Sequence, residues 1–308
     1  MQRHWLWTLA ISLTLQALPA LGRKPPPQSD TASSSLRFAG TQEFRVRTEW
    51  KAGMQKKSQV TLTTPKLAKP IELFDGKTVR ADVAGRSGSA LVAMIHGGSA
   101  PFVRFSLVDL SVSPPKANTV KVARPNDAER RPASVVATSD PKGFTVLWQE
   151  ESTKDPSLDV RTYFVRVSPS GSVIEKPKVV NVPWALAAIA HNGHGYHLAL
   201  YYDGAKPGET RLAMVTLSTA GEPEQHPWWA SAPGDIADVQ LLHAGTHIAA
   251  YFRGGKDATE LFSTDVTAVG QWGQEPAAAK SRGKLDSDAA YAVKPDGSVV
   301  KRSVGDLG

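Results

Sequence analysis

Gly195-Tyr-His-Leu-Ala-Leu-Tyr-Tyr-Asp-Gly204, a short polar loop, and then Glu209-Thr-Arg-Leu-Ala-Met-Val-Thr-Leu-Ser-Thr-Ala-Gly221 read as two apolar strands closed by a glycine turn. The unit recurs. Gly143 opens Phe-Thr-Val-Leu-Trp-Gln-Glu, followed by Val160 to Val167 and the turn Ser168-Pro-Ser-Gly171, and Gly245 opens Thr-His-Ile-Ala-Ala-Tyr-Phe, followed by Glu260 to Val266. Gly88 opens a weaker copy, Ser-Ala-Leu-Val-Ala-Met-Ile-His, with Phe102 to Leu110 as its partner. The four anchor glycines lie 55, 52 and 50 residues apart, with the drift confined to the loops. A unit this thin cannot bury its own faces, so copies must stack on one another.

The stacking is written into the strands. Along Gly195 to Tyr202 one face carries Tyr196, Leu198, Leu200 and Tyr202, and the other carries His197, Ala199 and Tyr201. Both faces are apolar, so the strand expects cover on both sides rather than water on one. The same holds for Phe144, Val146 and Trp148 against Thr145 and Leu147, and for Thr246, Ile248, Ala250 and Phe252 against His247, Ala249 and Tyr251. Small sheets packed radially supply that cover.

Upstream of each anchor glycine lies a short run rich in alanine and valine: Thr78 to Ala84, Ala133 to Thr138, Trp184 to Ala190 and Ala237 to Leu242. Small residues suit an innermost strand, where sheets converge on an axis. Outermost strands are expected at Asn118 to Ala123, at Gly171 to Ile174 or Lys178 to Val182, and at Pro227 to Ser231. Glu43 to Thr64 alternates apolar with polar residues about the turn Lys51 to Lys57, the pattern of an outer or edge hairpin. Ala289 to Ser303 repeats the rhythm of Phe164 to Lys176, each with a proline-initiated turn that ends in glycine. Each of these two end segments reads as half of a unit. Joining them gives five sheets in a closed ring, with six if the two hairpins stand separately. No helix is expected, since Pro276 to Lys284 is too short to be more than a loop or a single turn.

The amino terminus reads as a targeting signal. Arg3 precedes the apolar run Leu6 to Leu21, and Ala20-Leu21-Gly22 offers small residues for cleavage, so residues 1–22 are expected to be removed. Residues 23–36, with Pro25-Pro-Pro27 and Ser33-Ser-Ser35, form a linker, and residues 37–308 form the folded domain. Cysteine is absent, so an exported chain must hold together without disulfides, which its length permits. The net charge of +7 falls to +6 when Arg3 leaves with the signal, and no run of five like charges occurs. Scattered basic residues on an exported chain argue against a nucleic-acid partner. They are compatible with an acidic polysaccharide or an anionic surface. No transmembrane span is expected after cleavage, and the location is expected to be periplasmic or extracellular.

Two constellations invite a chemical reading. His191, His194 and His197 surround a glycine-containing turn and could meet a metal ion, but His247 repeats the position of His197 and no nearby Asp, Glu or Cys completes a tetrahedron. Packing is the competing reading. Asp82 and Asp238 both fall in expected innermost strands, and a close carboxylate pair divides acid and base work in glycosidases. Ser139-Asp-Pro-Lys-Gly143-Phe-Thr only approaches an aspartate-box motif, and calcium loops, phosphate loops, the serine elbow and the dinucleotide fingerprint are absent. Trp228-Trp229 could form a stacking platform or pack between sheets.

Glycine-led strands, the turns Ser168-Pro-Ser-Gly171 and Lys294-Pro-Asp-Gly297, and the joined chain ends resemble the β-propeller class found in exported bacterial proteins. The resemblance implies an all-β propeller of five blades, six being the alternative, closed by pairing of amino- and carboxy-terminal strands. It carries no subfamily motif, so no residue is assigned a catalytic, cofactor-binding or metal-ligating role, and no cofactor is expected. The function expected from the signal, the rigid blades and the missing catalytic motifs is a non-enzymatic binding or scaffold module with a protein or polysaccharide partner. A carbohydrate-active propeller hydrolase or lyase, using Asp82 and Asp238, is the alternative.

Overall fold

The fold is that of a computed structural model, which describes residues 33–302 apart from 40–41, 52–56, 66, 77, 98–99, 122–126, 156–158, 183, 204–209, 225–227, 232–235, 245–246, 256–258, 266–276 and 287–288. The described residues form antiparallel sheets and no helix, in a five-bladed propeller arrangement. Blade 1 holds β1 (Ser33–Ala39), β2 (Gln42–Lys51), β3 (Lys57–Thr63) and β4 (Ile71–Gly76). Blade 2 holds β5 (Thr78–Arg86), β6 (Ser89–His96), β7 (Phe102–Asp109) and β8 (Lys116–Lys121). Blade 3 holds β9 (Arg130–Asp140), β10 (Gly143–Ser152), β11 (Val160–Val167) and β12 (Lys178–Val180). Blade 4 holds β13 (Ala185–His191), β14 (Gly195–Asp203), β15 (Thr210–Ser218) and β16 (Trp228–Ser231). Blade 5 holds β17 (Ala237–Ala244), β18 (His247–Gly254), β19 (Glu260–Asp265) and, after the short β20 (Ala277–Ala278), β21 (Lys280–Lys284). A last hairpin, β22 (Ala290–Val293) and β23 (Val299–Arg302), stands between blade 5 and blade 1.

The two-faced strands do what their composition demands. Phe144, Val146 and Trp148 pack towards blade 2 with Leu91, Ala93 and Phe105, while Leu147 on the opposite face joins Tyr196, Leu198 and Leu200 of blade 4. Ala199, between those residues on β14, points the other way and joins Ile248, Ala250 and Phe252 of blade 5. Further clusters fill the joints between blades 1 and 2, between blade 5 and the last hairpin, and between that hairpin and blade 1. The glycines that open β10 and β14 are required by close approach. A Cβ at Gly143 would stand 2.2 Å from the carbonyl oxygen of Val167, and one at Gly195 would stand 2.1 Å from that of Leu217. At both places the third strand turns back through a Ser-to-Gly turn, and only a bare backbone fits beside it.

The ends of the chain differ from the sequence expectation in three ways. Blade 1 is complete by itself, so Glu43 to Thr64 supplies its second and third strands rather than an outer hairpin or half of a composite blade. The strand that completes it, β1, begins at Ser33, inside the stretch read as linker, because its ladder with Val46 to Thr48 uses backbone groups that the serines also possess. Closure does bring the two ends of the chain together, but β22 meets β1 through Leu36, Phe38, Ala290 and Ala292, and the two strands belong to different sheets. Lys280 to Lys284, read as a loop or turn, is the fourth strand of blade 5, and Ala277–Ala278 adds in parallel to the outer edge of blade 4. Residues 1–32, with the expected signal and most of the linker, lie outside the described residues.

Candidate functional site

Innermost strands leave one edge of each sheet facing the axis, with backbone groups that the sheet itself does not pair. Here side chains of one blade reach the innermost strand of the next. From blade 3, Gln149 Nε2 donates to Trp184 O at 2.6 Å and its Oε1 accepts from Leu186 N at 2.9 Å, both in blade 4 or just before it. From blade 4, Tyr201 accepts from the Val239 N–H of blade 5, and burial pushes its phenol up to about 12. From blade 5, Gln240 Nε2 donates to Tyr291 O at 2.6 Å and its Oε1 accepts from Val293 N at 3.2 Å, in the last hairpin. From blade 2, Asp82 Oδ2 accepts from Ala137 N of blade 3 at 2.9 Å. These latches tie neighbouring blades at the axis.

Around that axis lies a cavity of about 330 Å³, lined from every blade and from the last hairpin. Ala84, Ala137, Ala188 and Ala190 contribute little bulk, and that leaves the space open. Its ionisable lining residues are Arg37, Asp82 and His191, joined by the polar Gln240, Thr138 and Ser139. Asp82 is buried, and its second oxygen meets the Arg37 guanidinium of blade 1 at 3.2 Å. Two fixed partners, one from each flanking blade, therefore orient this carboxylate.

The expected partner of Asp82 lies elsewhere. Ladder register shifts between Ala237 and Gln240, and Asp238 takes a left-handed φ of 48° at that bulge. The shift places Gln240 in the cavity lining, whereas the exposed Asp238 side chain pairs with Arg253 Nε at 2.8 Å. Tyr291 donates its hydroxyl to the Asp238 carbonyl oxygen, which helps to hold the bulge. Asp82 and Asp238 are thus not brought together in one lining, and β-strand alternation read from the sequence cannot reveal a bulge that breaks it.

His191, His194 and His197 are likewise separated into different tasks. His191 stands edge-on to Tyr196 with ring centroids 5.5 Å apart and accepts from Gly193 N at 3.3 Å. His197 contacts Asn192 and Thr216, at 3.1 Å and 3.2 Å, and His194 is exposed. Among the described residues no group of three or more His, Cys, Asp and Glu is placed to hold a metal ion. The side chains of Trp228 and Trp229 lie outside the described residues, although their backbone forms the start of β16.

Blade 3 holds three further buried carboxylates, Asp140, Glu150 and Glu151, the last accepting from Arg131 Nε at 2.8 Å. Asp140, at the end of β9, accepts from Tyr196 OH at 2.7 Å, from Thr145 Oγ1 at 3.2 Å and from Lys142 N at 2.7 Å, and meets Arg166 at 3.5 Å. Burial alone would push its carboxyl up, but these bonds together hold it below the usual range. Tyr196, beside it, is pushed up to about 12, chiefly by burial. Glu150, near the far end of β10, accepts from Trp148 Nε1 at 3.3 Å and from Tyr163, and burial outweighs these bonds and pushes its carboxyl up. Tyr163 stacks on Trp148 with centroids 5.0 Å apart, so both donors to Glu150 come from one aromatic pair.

No protein-family model matches the sequence, and no curated protein sequence matches it either. Solved structures do match the fold. The parainfluenza virus 5 hemagglutinin-neuraminidase ectodomain superposes with a TM-score of 0.51 over 85% of this chain and 74% of that one, at 10% identity. An α-L-arabinofuranosidase from Lactobacillus brevis gives 0.49 over 73% of this chain and 83% of that one, at 8% identity. One from Clostridium thermocellum gives 0.48 over 84% and 97%, at 9% identity. The hemagglutinin-neuraminidase ectodomain shares this fold, so rigid blades do not by themselves mark a non-enzymatic binding or scaffold module, and the expectation drawn from them is corrected on that point. At such identity the likeness is one of fold, and no residue is carried across from those proteins.

Proposed function

We propose that this chain is an exported carbohydrate-active hydrolase of propeller architecture, with the axial cavity as its substrate site and Asp82 as its reacting carboxylate. The observation that carries the reading is the placement of Asp82: a buried carboxylate in the cavity lining, oriented by Ala137 N–H at 2.9 Å and Arg37 at 3.2 Å. Hydrolysis of a glycosidic bond needs a carboxylate that attacks the anomeric carbon or draws a proton from water, and a second group that protonates the leaving oxygen. Asp82 takes the first role. His191, on β13 in the same lining, carries an imidazole that can hand over a proton and takes the second. Gln240 and the hydroxyls of Thr138 and Ser139 are the neutral polar groups available to sugar hydroxyls. The volume lies at the small end of the range for ligand pockets, about 300–1,000 Å³, which suits the end of a glycan chain more than a long internal segment.

The test is turnover of a panel of aryl glycosides and polysaccharides by the chain without residues 1–22, compared with Asp82→Asn and His191→Asn. Asparagine retains an oxygen acceptor for Ala137 N–H, so the blade joint survives while the charge is lost. Activity is expected to fall by about 10²–10⁴-fold in Asp82→Asn. The reading is lost if no substrate is turned over, or if Asp82→Asn works at the unaltered rate.

A further inference from the structure

Every blade carries a third and a fourth strand outside its second, whereas the last hairpin has only two strands among the described residues. Among the described residues no strand pairs with the outer edge of β23, which lies in a wedge between blade 5 and blade 1. On the blade 5 side runs β21, Lys280-Ser-Arg-Gly-Lys284, exposed along its whole length. Lys301 of β23 donates from Nζ to the Lys284 carbonyl oxygen at 2.7 Å, so the end of β21 adjoins the open edge. On the blade 1 side, Leu36 packs against Ala290 and Ala292 of the hairpin, and Arg45 lies opposite Leu36 in the β1–β2 ladder, on the same face. Lys284 and Lys301 thus stand at this edge, Lys280 and Arg282 lie further along the same exposed strand, with Arg282 Nε on Ser263 Oγ at 2.7 Å, and on the blade 1 side the buried Arg45 is paired with Glu43 at 3.5 Å.

We propose that the outer edge of β23 receives an extended strand from an acidic partner polypeptide. Strand addition supplies the missing backbone partners, and carboxylates on the added strand meet the cations around the wedge. The propeller already accepts such an addition within its own chain: Ala277 and Ala278 pair in parallel with Ala230 and Ser231 on the outer edge of blade 4. Val299 packs inward with Tyr251, Leu261 and Tyr291, which anchors β23 as a template. Lysines on an edge discourage strands of neutral or basic character, so the same residues that select an acidic strand exclude others.

The experiment uses the chain without residues 1–22 and a fluorescein-labelled peptide alternating Glu with Val, followed by anisotropy and by hydrogen exchange over residues 299–302. Binding is expected with exchange protection of β23, weakened by roughly threefold to tenfold in Lys301→Glu, since one reversed surface charge is worth about 1 kcal/mol. Lys280→Glu, on the exposed neighbouring strand, is expected to weaken it as well, and thermal melts of both variants check that the fold persists. A peptide with proline in place of each valine keeps the charge but cannot form a ladder, and is expected not to bind. Equal binding of that peptide, or of an anionic polysaccharide, without protection of residues 299–302 would overturn the proposal in favour of a simple polyanion patch. Absence of binding by the alternating peptide would overturn it outright.

Discussion

Asp140 and Glu150 stand at opposite ends of one β9–β10 hairpin, both buried, and their carboxyls shift in opposite directions. Burial acts on both in the same sense. The difference lies in the donors: Asp140 gathers Tyr196 from the next blade, Thr145, the Lys142 N–H and Arg166, while Glu150 has Trp148 and Tyr163, with Arg130 and Arg161 adding charge. A carboxylate surrounded by donors becomes a joint between blades. One left with few becomes a group whose charge the fold resists.

The largest test of the comparison is removal of the Asp140 joint. Asp140→Ala leaves the half-buried Arg166, the Tyr196 hydroxyl and the Thr145 hydroxyl without their shared acceptor, and breaking such a largely buried pair costs about 3 kcal/mol. Urea unfolding should report the loss as an earlier midpoint with little change of slope. A loss under about 1 kcal/mol, the level of an exposed ion pair, would mean that water serves these donors and that the joint is not sealed.

A joint made by a neutral side chain should come next. Gln149→Leu fills similar space but leaves Leu186 N–H, Trp184 O and the Ser134 hydroxyl without their partner, for a cost of about 2–3 kcal/mol. Because Gln149 acts at the axis, the same variant should loosen blade 3 from blade 4, read as faster hydrogen exchange at Leu186. If exchange there stays slow while stability falls, the damage is in packing and the latch reading fails.

The latches also mark how far the sequence could be read. Gln149 and Tyr201 both stand six residues after their anchor glycines, Gly143 and Gly195, so the repeat does contain the signal: a polar atom late in an otherwise apolar strand. It is intelligible only once the innermost strands are known to expose an edge. The central blades were legible because both faces of β10, β14 and β18 are apolar, and only a doubly covered strand needs that. The ends were not legible to the same degree. Ser33-Ser34-Ser35 shows no apolar alternation, yet it forms strand through backbone pairing with Val46 to Thr48. The pair of carboxylates was legible only in part: Asp82 lines the axial cavity, as its place in an innermost strand implies, but the bulge at Ala237 to Gln240 puts Gln240 there instead of Asp238.

The smallest expected effect separates the two carboxylates by pH. For Glu150 the folded-state value lies above the ordinary 4.5, so the fold binds this proton more tightly than the unfolded chain does. Its contribution to stability is therefore complete below about pH 4.5 and is lost as pH rises through the folded value. Asp140 runs the other way: its value is depressed below 3.8, so its contribution is present above that pH and is lost as pH falls through the folded value. Glu150→Gln keeps an acceptor for Trp148 Nε1 and removes the charge, so it should match the unaltered protein in acid and exceed it near neutrality. Asp140→Asn should be the weaker protein near neutrality, with the gap narrowing towards pH 3. The informative quantity is the sign of the two difference curves against pH. Opposite slopes follow from donors that are plentiful at one end of the hairpin and scarce at the other, whereas slopes of the same sign would mean that burial alone governs both ends.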